Sequence, residues 1–447
     1  MDIQYHHIYY MSNRKDQTVI YYKMSIYNIE TYFREVIMKK KYINIFFLAI
    51  IILLEILYWI IMIITRSHFL DGYFINDFTN TSMDYFNMLA NLQTLDPYAS
   101  NANYPALCFV IWRVLYHMVP QLEGIVDGYF LREYMPAQLG YIIYLTIIII
   151  SIWQLIQYKF RQSVVEKYLV AIALLLSGPF IFTLERGNII ILSFLFLFFF
   201  YCFYDSEKKI VRYTAYIALA LSASIKIYPA VFGIIILLKK RYKEAAVAVI
   251  IGIFIFLLSF FAFDGIQSLL DMLNGIFAAN ELQSNAGMGL NFCASNLVKI
   301  FASLGGKLLV EVSFGAKITS LLICILIFFL NQEEWKRLFA LSLLCIWIPE
   351  FSYTYVLILM FIPFISLIAV KKEIYCTMDY VYRILFAFML IPIALPAIPE
   401  MDFAGVRLPI TYPTIIINLD ILIMSIALLI QGIINTLKSK VKVRSKV

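Results

Sequence analysis

Residues 42–107 read YINIFFLAIIILLEILYWIIMIITRSHFLDGYFINDFTNTSMDYFNMLANLQTLDPYASNANYPAL, and the stretch divides in two. From Tyr42 to Ile64 the only charged residue is Glu55, and about 20 consecutive apolar residues are enough for one helical bilayer crossing. From Asp71 to Leu107 the composition turns polar and acidic: Asp71, Asp77, Asp84 and Asp96 fall here, with no Lys or Arg between Arg66 and Arg113. The chain is 62% hydrophobic and only 15% charged. Clustering carboxylates beside a membrane segment therefore marks the acidic stretch as the candidate site. A solvated loop is the competing reading. The recurrence of Asn, Thr, Tyr and Asp with almost no basic partner favours the functional one.

Outward from this stretch the apolar runs continue, near residues 138–157, 168–184, 188–204, 213–238, 244–263, 308–330, 338–349, 354–370, 380–396 and 413–436. With 37 Phe, 32 Tyr and a mean hydropathy of +0.82, they predict an all-α membrane protein. Its expected form is a polytopic helical bundle of about 12 transmembrane helices in the cell membrane. A β-barrel would show short alternating segments instead. The net charge of +7 does not point to nucleic acid, because Lys and Arg lie in short clusters between the runs, where they orient spans. The six cysteines are scattered without a CxxC, and the four histidines offer no ligand spacing. Neither a metal nor another cofactor is called for.

Charge predicts the orientation. Residues 1–42 form a basic cytoplasmic segment, of which 1–37 are expected to be dispensable, and 438–447 form a basic cytoplasmic tail. Between them, residues 43–437 make the transmembrane catalytic domain. Lys239–Lys243, Glu333–Arg337 and Lys371–Lys372 fall on the cytoplasmic side, and outer loops fall near 66–105, 264–307, 350–353 and 397–412. Two arrangements of 106–238 stay open. Either 106–120 crosses and 213–238 is one span, or 106–120 is re-entrant and 213–238 is a hairpin broken at Pro229. Only the second brings Glu185–Asn188 and Lys226 to the outer face.

Several positions carry chemistry. Glu185-Arg186-Gly187-Asn188 joins two apolar runs with no room for a loop, as a structural ion pair or as a ligand site. Lys226, followed by Tyr228 and Pro229, sits among apolar and small residues and either meets an anion or snorkels. Residues 284–296 are rich in amide and small side chains suited to sugar hydroxyls. Glu350 to Tyr355 brings a carboxylate and the phenols Tyr353 and Tyr355 to the outer face.

The order of the motifs resembles glycosyltransferase family 87: the acidic DYFN segment, then Asp96-Pro97-Tyr98 and Tyr104-Pro105, then Arg186-Gly187-Asn188, then SIKIYPA before a basic KKRYKEA turn. The resemblance runs from about residue 43 to about 370. It implies a C-type glycosyltransferase fold and a polyprenyl-phosphate sugar donor. It also implies a catalytic aspartate in the first outer loop, matched by Asp77 and Asp84. Asp96, Tyr98, Tyr104, Glu185, Arg186, Asn188, Lys226, Tyr228 and Tyr353 become the substrate-binding candidates. The implied reaction moves a single sugar to a lipid-linked or cell-envelope glycan or glycolipid acceptor, with inversion and an Asp general base. Arg186 and Lys226 are the cations for the leaving phosphate, with Lys299 and Lys307 held in reserve should Lys226 prove cytoplasmic. Two rivals stand beside it. One is a polysaccharide polymerase or ligase using polyprenyl-diphosphate glycans. The other is a flippase or transporter for lipid-linked sugars, which would be expected to show repeated halves.

Overall fold

The computed structural model describes residues 42–66, 73–74, 81–93, 97–100, 103–117, 119, 126–161, 163–281, 288–289, 305–349, 352–372, 375–395, 401–403, 406–408 and 411–444. Residues 1–41, Asp71, Asp77, Asp96, Lys299, Glu350 and most of 284–296 lie outside the described residues. In chain order the helices are α1 (Ile43–Ile64), α2 (Met83–Asn91), α3 (Ala106–His117), α4 (Gly128–Glu133), α5 (Met135–Lys159), α6 (Val164–Leu176), α7 (Gly178–Arg186), α8 (Ile190–Phe203) and α9 (Lys209–Ile225). They continue as α10 (Ile234–Leu238), α11 (Tyr242–Phe260), α12 (Ile266–Glu281), α13 (Gly305–Leu330), α14 (Glu334–Trp347), α15 (Phe361–Ala369), α16 (Thr377–Leu390) and α17 (Tyr412–Arg444). Tight 3-10 turns at Tyr228–Gly233 and Thr354–Met360 lead into α10 and α15.

By length and composition, α1, α5, α11 and the Tyr412–Lys438 part of α17 can cross a membrane, and the pair α6–α7, bent by 50°, passes the same test only when its two helices are taken together, as a broken span or a re-entrant loop. The expectation of about 12 crossings counted apolar runs. Several of those runs form helices of 10–17 residues, such as α3 and α8, and at 1.5 Å per residue these fall short of a hydrocarbon core about 30 Å thick. Two elements sit where loops were expected. One is α12, whose Leu269, Met272 and Ile276 recur at helical spacing and pack on the core. The other is a two-stranded antiparallel hairpin, β1 (Met401–Phe403) and β2 (Val406–Leu408), with Asp402 opposite Arg407.

The interior is one continuous apolar cluster holding fully buried Trp112, Trp335, Trp347, Tyr85 and Tyr201. The outside is apolar too. Leu53 and Ile63 on α1, Ile143 and Ile147 on α5, Ile250 and Phe254 on α11, and Ile423 and Ile430 on α17 all stand exposed. Such continuous apolar faces are unstable against water and suited to lipid. The chain is a membrane protein.

The helices gather the charged segments at one end. Asp205 beyond α8 pairs with Lys239 at 2.5 Å and Arg241 at 2.8 Å, and Arg212 on α9 meets Glu244 on α11 at 2.6 Å. Glu333 receives Lys336 at 2.6 Å and Lys372 at 3.0 Å, and Lys372 also reaches Asp379 at 2.6 Å. At the opposite end of α8 stands Asn188, and at the opposite end of α9 stands Lys226. The 213–238 run is therefore broken in the Lys226–Tyr228 region, before Pro229, where proline supplies no backbone donor. That break returns the chain toward Lys239 and leaves Lys226 at the same end as Arg186.

Candidate active site

Three short-range devices build the site. Helix α2 buries Met83, Tyr85, Phe86 and Leu89, with Tyr85 edge-on to Trp112 at 5.1 Å and against Tyr141 at 4.6 Å. Asp84 lies between those buried positions, in the first turn, where a helix N-terminus favours negative charge. The α2 start is tied to the end of α7 by a bond from Ser82 N to the Glu185 carbonyl, 2.6 Å. Helix α7 then stops at Gly187, which adopts φ +65°. A Cβ at Gly187 would stand 2.9 Å from Tyr85 Cβ and 3.2 Å from Ser82 O, so the two segments meet only because this residue is glycine.

The closure brings Asp84 to residues about a hundred positions later. The Arg186 guanidinium pairs with Asp84 Oδ1. The Asn188 amide donates to Asp84 Oδ2 at 2.7 Å, and Asn188 Oδ1 accepts from Ile190 N at 3.0 Å, which fixes the amide's orientation at the head of α8. Among the described residues each carboxylate oxygen thus has one donor. A carboxylate offers about four lone-pair sites, so Asp84 keeps room to accept a proton from another group.

Asp84 and Arg186 line a polar cavity of about 540 Å³ together with Tyr104, Lys226, Tyr228, Lys317, Tyr353 and Tyr355. Lys226 Nζ stands over the Tyr104 ring, 4.2 Å from its centroid, a cation–π contact that holds the ammonium toward the cavity. Tyr353 and Tyr355 stack with centroids 5.9 Å apart. Burial pushes the Tyr353 hydroxyl above its ordinary range, with Arg186 pulling against that shift and Asp84 adding to it. Tyr353 therefore stays a neutral donor.

Ile227 lines this polar cavity and also a second cavity of about 1000 Å³. The second is apolar, bounded by α9 to α11 and by α13 and α14 through residues such as Ala220, Val231, Gly252, Ile253, Phe256 and Phe328. A charged chamber and an oily one thus share a wall beside Lys226.

The residues expected from sequence divide accordingly. Asp84, Tyr104, Arg186, Lys226, Tyr228 and Tyr353 come together at the polar cavity. Asn188 stands behind Asp84. Tyr98 backs the site at one remove, its ring among Phe109, Phe260 and Phe263 and its hydroxyl donating to the Tyr104 carbonyl at 2.9 Å. Glu185 supplies its backbone carbonyl to Ser82, while its buried Oε2 has no hydrogen-bond partner and its side chain does not line the cavity. Asp77 and Asp96 lie outside the described residues. Of residues 284–296, Met288 and Gly289 are described: Met288 N donates to Ser352 O at 2.5 Å and Gly289 N to Asn418 Oδ1 at 2.7 Å. Sequence reasoning missed Lys317. Its signal was the one that singled out Lys226, a lone lysine in an apolar run.

A family model described as glycosyltransferase family 87 matches residues 129–357. The matched segment contains Arg186, Lys226, Lys317 and Tyr353 and begins after α2, so Asp84 precedes it. No curated protein and no solved structure matches the chain.

Proposed function

The chain belongs to glycosyltransferase family 87, and from that membership we propose that it transfers a single sugar from a polyprenyl-phosphate donor to a lipid-linked or cell-envelope glycan acceptor at the outer face of the membrane. One observation carries the reading. A cavity holding Asp84, Arg186 and Lys226 adjoins, at Ile227, an apolar cavity of about 1000 Å³. A donor with a charged sugar-phosphate head and a long hydrocarbon tail needs both surroundings next to each other.

In this reading Asp84 is the general base. The acceptor hydroxyl attacks the anomeric carbon from the side opposite the phosphate, and its proton passes to Asp84. The anomeric C–O bond breaks with its electron pair staying on the phosphate, so the sugar is inverted. General-base help of this kind is worth roughly 10²- to 10⁴-fold. The Arg186 guanidinium has donors to share between Asp84 and the phosphate, and Lys226 supplies a second cation. The stacked Tyr353 and Tyr355 offer aromatic faces and hydroxyls to the sugar.

The test is transfer from radiolabelled polyprenyl-phosphate sugars by the purified protein. Wild type transfers label. Asp84→Asn loses at least 100-fold in kcat while still binding donor lipid, because the amide keeps the shape and removes the base. Loss in Asp77→Asn with none in Asp84→Asn would move the base to Asp77. Transfer only from diphosphate-linked glycans would overturn the donor assignment.

A further inference from the structure

Glu185 stands beside the polar cavity without lining it. Its side chain is half-buried, and its Oε2 has no hydrogen-bond partner among the described residues. It also lies within electrostatic reach of a second carboxylate, Asp84, as well as of Arg186. Burying a carboxyl that is only partly hydrogen-bonded costs stability, and two carboxyls close together disfavour each other's charge. Helix α7 does not need the acid in order to stop, because Gly187 ends it. The side chain therefore has other work at this position.

What Glu185 holds is the pair of residues that leads into Asp84. Ser82 is the N-cap of α2 and adopts the left-handed conformation, φ +59° and ψ +13°, which residues other than glycine rarely take. A serine at this position ordinarily turns its hydroxyl onto the first N–H groups of its own helix. Ser82 makes no such bond; its hydroxyl donates to Tyr141 on α5, which in turn donates to the Leu184 carbonyl at 2.6 Å. The Ser82 N–H goes to the Glu185 carbonyl at 2.6 Å, and the Thr81 hydroxyl donates to the Glu185 carboxyl. The start of α2 is thus set from outside that helix, by the last turn of α7. A left-handed residue of this kind persists only where its surroundings over-determine it. Asp84 follows two residues later, so a rotation at Ser82 swings its carboxylate. We propose that Glu185 is a positioning residue for the general base: gripping Thr81 with its carboxyl and Ser82 with its carbonyl, it keeps Ser82 left-handed and aims Asp84 at the acceptor hydroxyl. This inference rests on the reading of Asp84 as the base.

Transfer from polyprenyl-phosphate sugars is measured on the purified full-length protein, with wild type and Asp84→Asn as the two ends of the scale. Glu185→Ala releases Thr81 and should lower kcat about 10- to 100-fold, the range that a misplacement of about 1 Å produces. Its donor KM should stay within about twofold of wild type, because Glu185 touches no substrate. Glu185→Gln can still accept from Thr81, so it should keep kcat within about threefold of wild type. Thr81→Val breaks the same bond from the other side, and the Thr81→Val, Glu185→Ala double variant should be no slower than Glu185→Ala alone, as expected of residues that act as a unit. Should Glu185→Ala fail to accumulate, Thr81→Val carries the test by a fall in kcat at unchanged donor KM. Wild-type kcat in Glu185→Ala or Thr81→Val overturns the proposal, as does an equal loss in Glu185→Gln and Glu185→Ala or a loss confined to the donor KM. Each of these, with Asp84→Asn inactive, leaves the base reading intact. Wild-type turnover in Asp84→Asn overturns the base reading and this inference with it.

Discussion

At the residue scale the site depends on a position with no side chain. Gly187 ends α7 in the left-handed region and lets Tyr85 and Ser82 pack against it, and this contact sets Arg186 and Asn188 on either side of Asp84. Gly187→Ala meets two penalties. The left-handed conformation costs an L-residue about 1–2 kcal/mol, and a new Cβ 2.9 Å from Tyr85 Cβ forces α2 and α7 apart. The variant should unfold at lower temperature, with a loss of about 2 to 3 kcal/mol, and should lose sugar transfer out of proportion to that loss, because the Asp84–Arg186–Asn188 arrangement is what shifts. Transfer measured well below the lowered Tm checks this: wild-type kcat there would show that the close approach is dispensable.

At the scale of elements, the loops between helices at the basic end are fastened by ion pairs. Glu333 leads into α14, and although burial works against its charge, Lys336 and Lys372 outweigh it and hold the carboxyl below the ordinary range. For Asp379 in the first turn of α16, burial again opposes ionisation, and Lys372 with the Cys376 backbone N–H lowers the carboxyl overall. Burial likewise works against the Lys372 ammonium, but Asp379 and Glu333 more than offset it and raise its pKa. Carboxyls depressed on folding contribute stability that is present above their unfolded values, near pH 4, and lost as pH falls through the lower folded values. Lys372 has the opposite sign: its contribution is full below about pH 10 and is lost as pH rises further. Thermal stability should therefore fall as pH drops below about 4, and a Glu333→Gln, Asp379→Asn double variant should show a shallower acid limb. An acid limb of unchanged depth in that variant would count against these pairs. Since Glu333 is 37% exposed, water screens much of its interaction and the change should be small.

At the scale of the whole molecule, the helices sort polar groups into two ends. Asp84, Arg186, Lys226 and Tyr353 meet at one, and Asp205, Lys239, Glu333 and Lys372 at the other. On the outer-face reading, a cysteine at exposed Asn103 should be labelled by an impermeant thiol reagent from outside, and one at exposed Glu207 only after the membrane is opened. The native cysteines, including exposed Cys376, are first replaced. Labelling of Glu207→Cys alone from outside would invert the orientation.

What the sequence by itself determined is what short stretches encode. Apolar runs with basic residues between them specify helices, a lipid-facing exterior and a basic end, because hydrophobicity and charge act within about twenty residues. The acidic interruption, the intramembrane lysine and the motif order pointed to a glycosyltransferase and to most of the residues at the polar cavity. The tertiary structure decided the rest. By composition Asp84 is no different from Asp77 or Asp96; its packing beside Gly187 gives it Arg186 and Asn188, more than a hundred residues away along the chain. The same holds for Lys317, which joins the site only because α13 packs across the chamber. Pairings at such separation depend on how helices pack, and packing is a property of the assembled surfaces rather than of any one stretch.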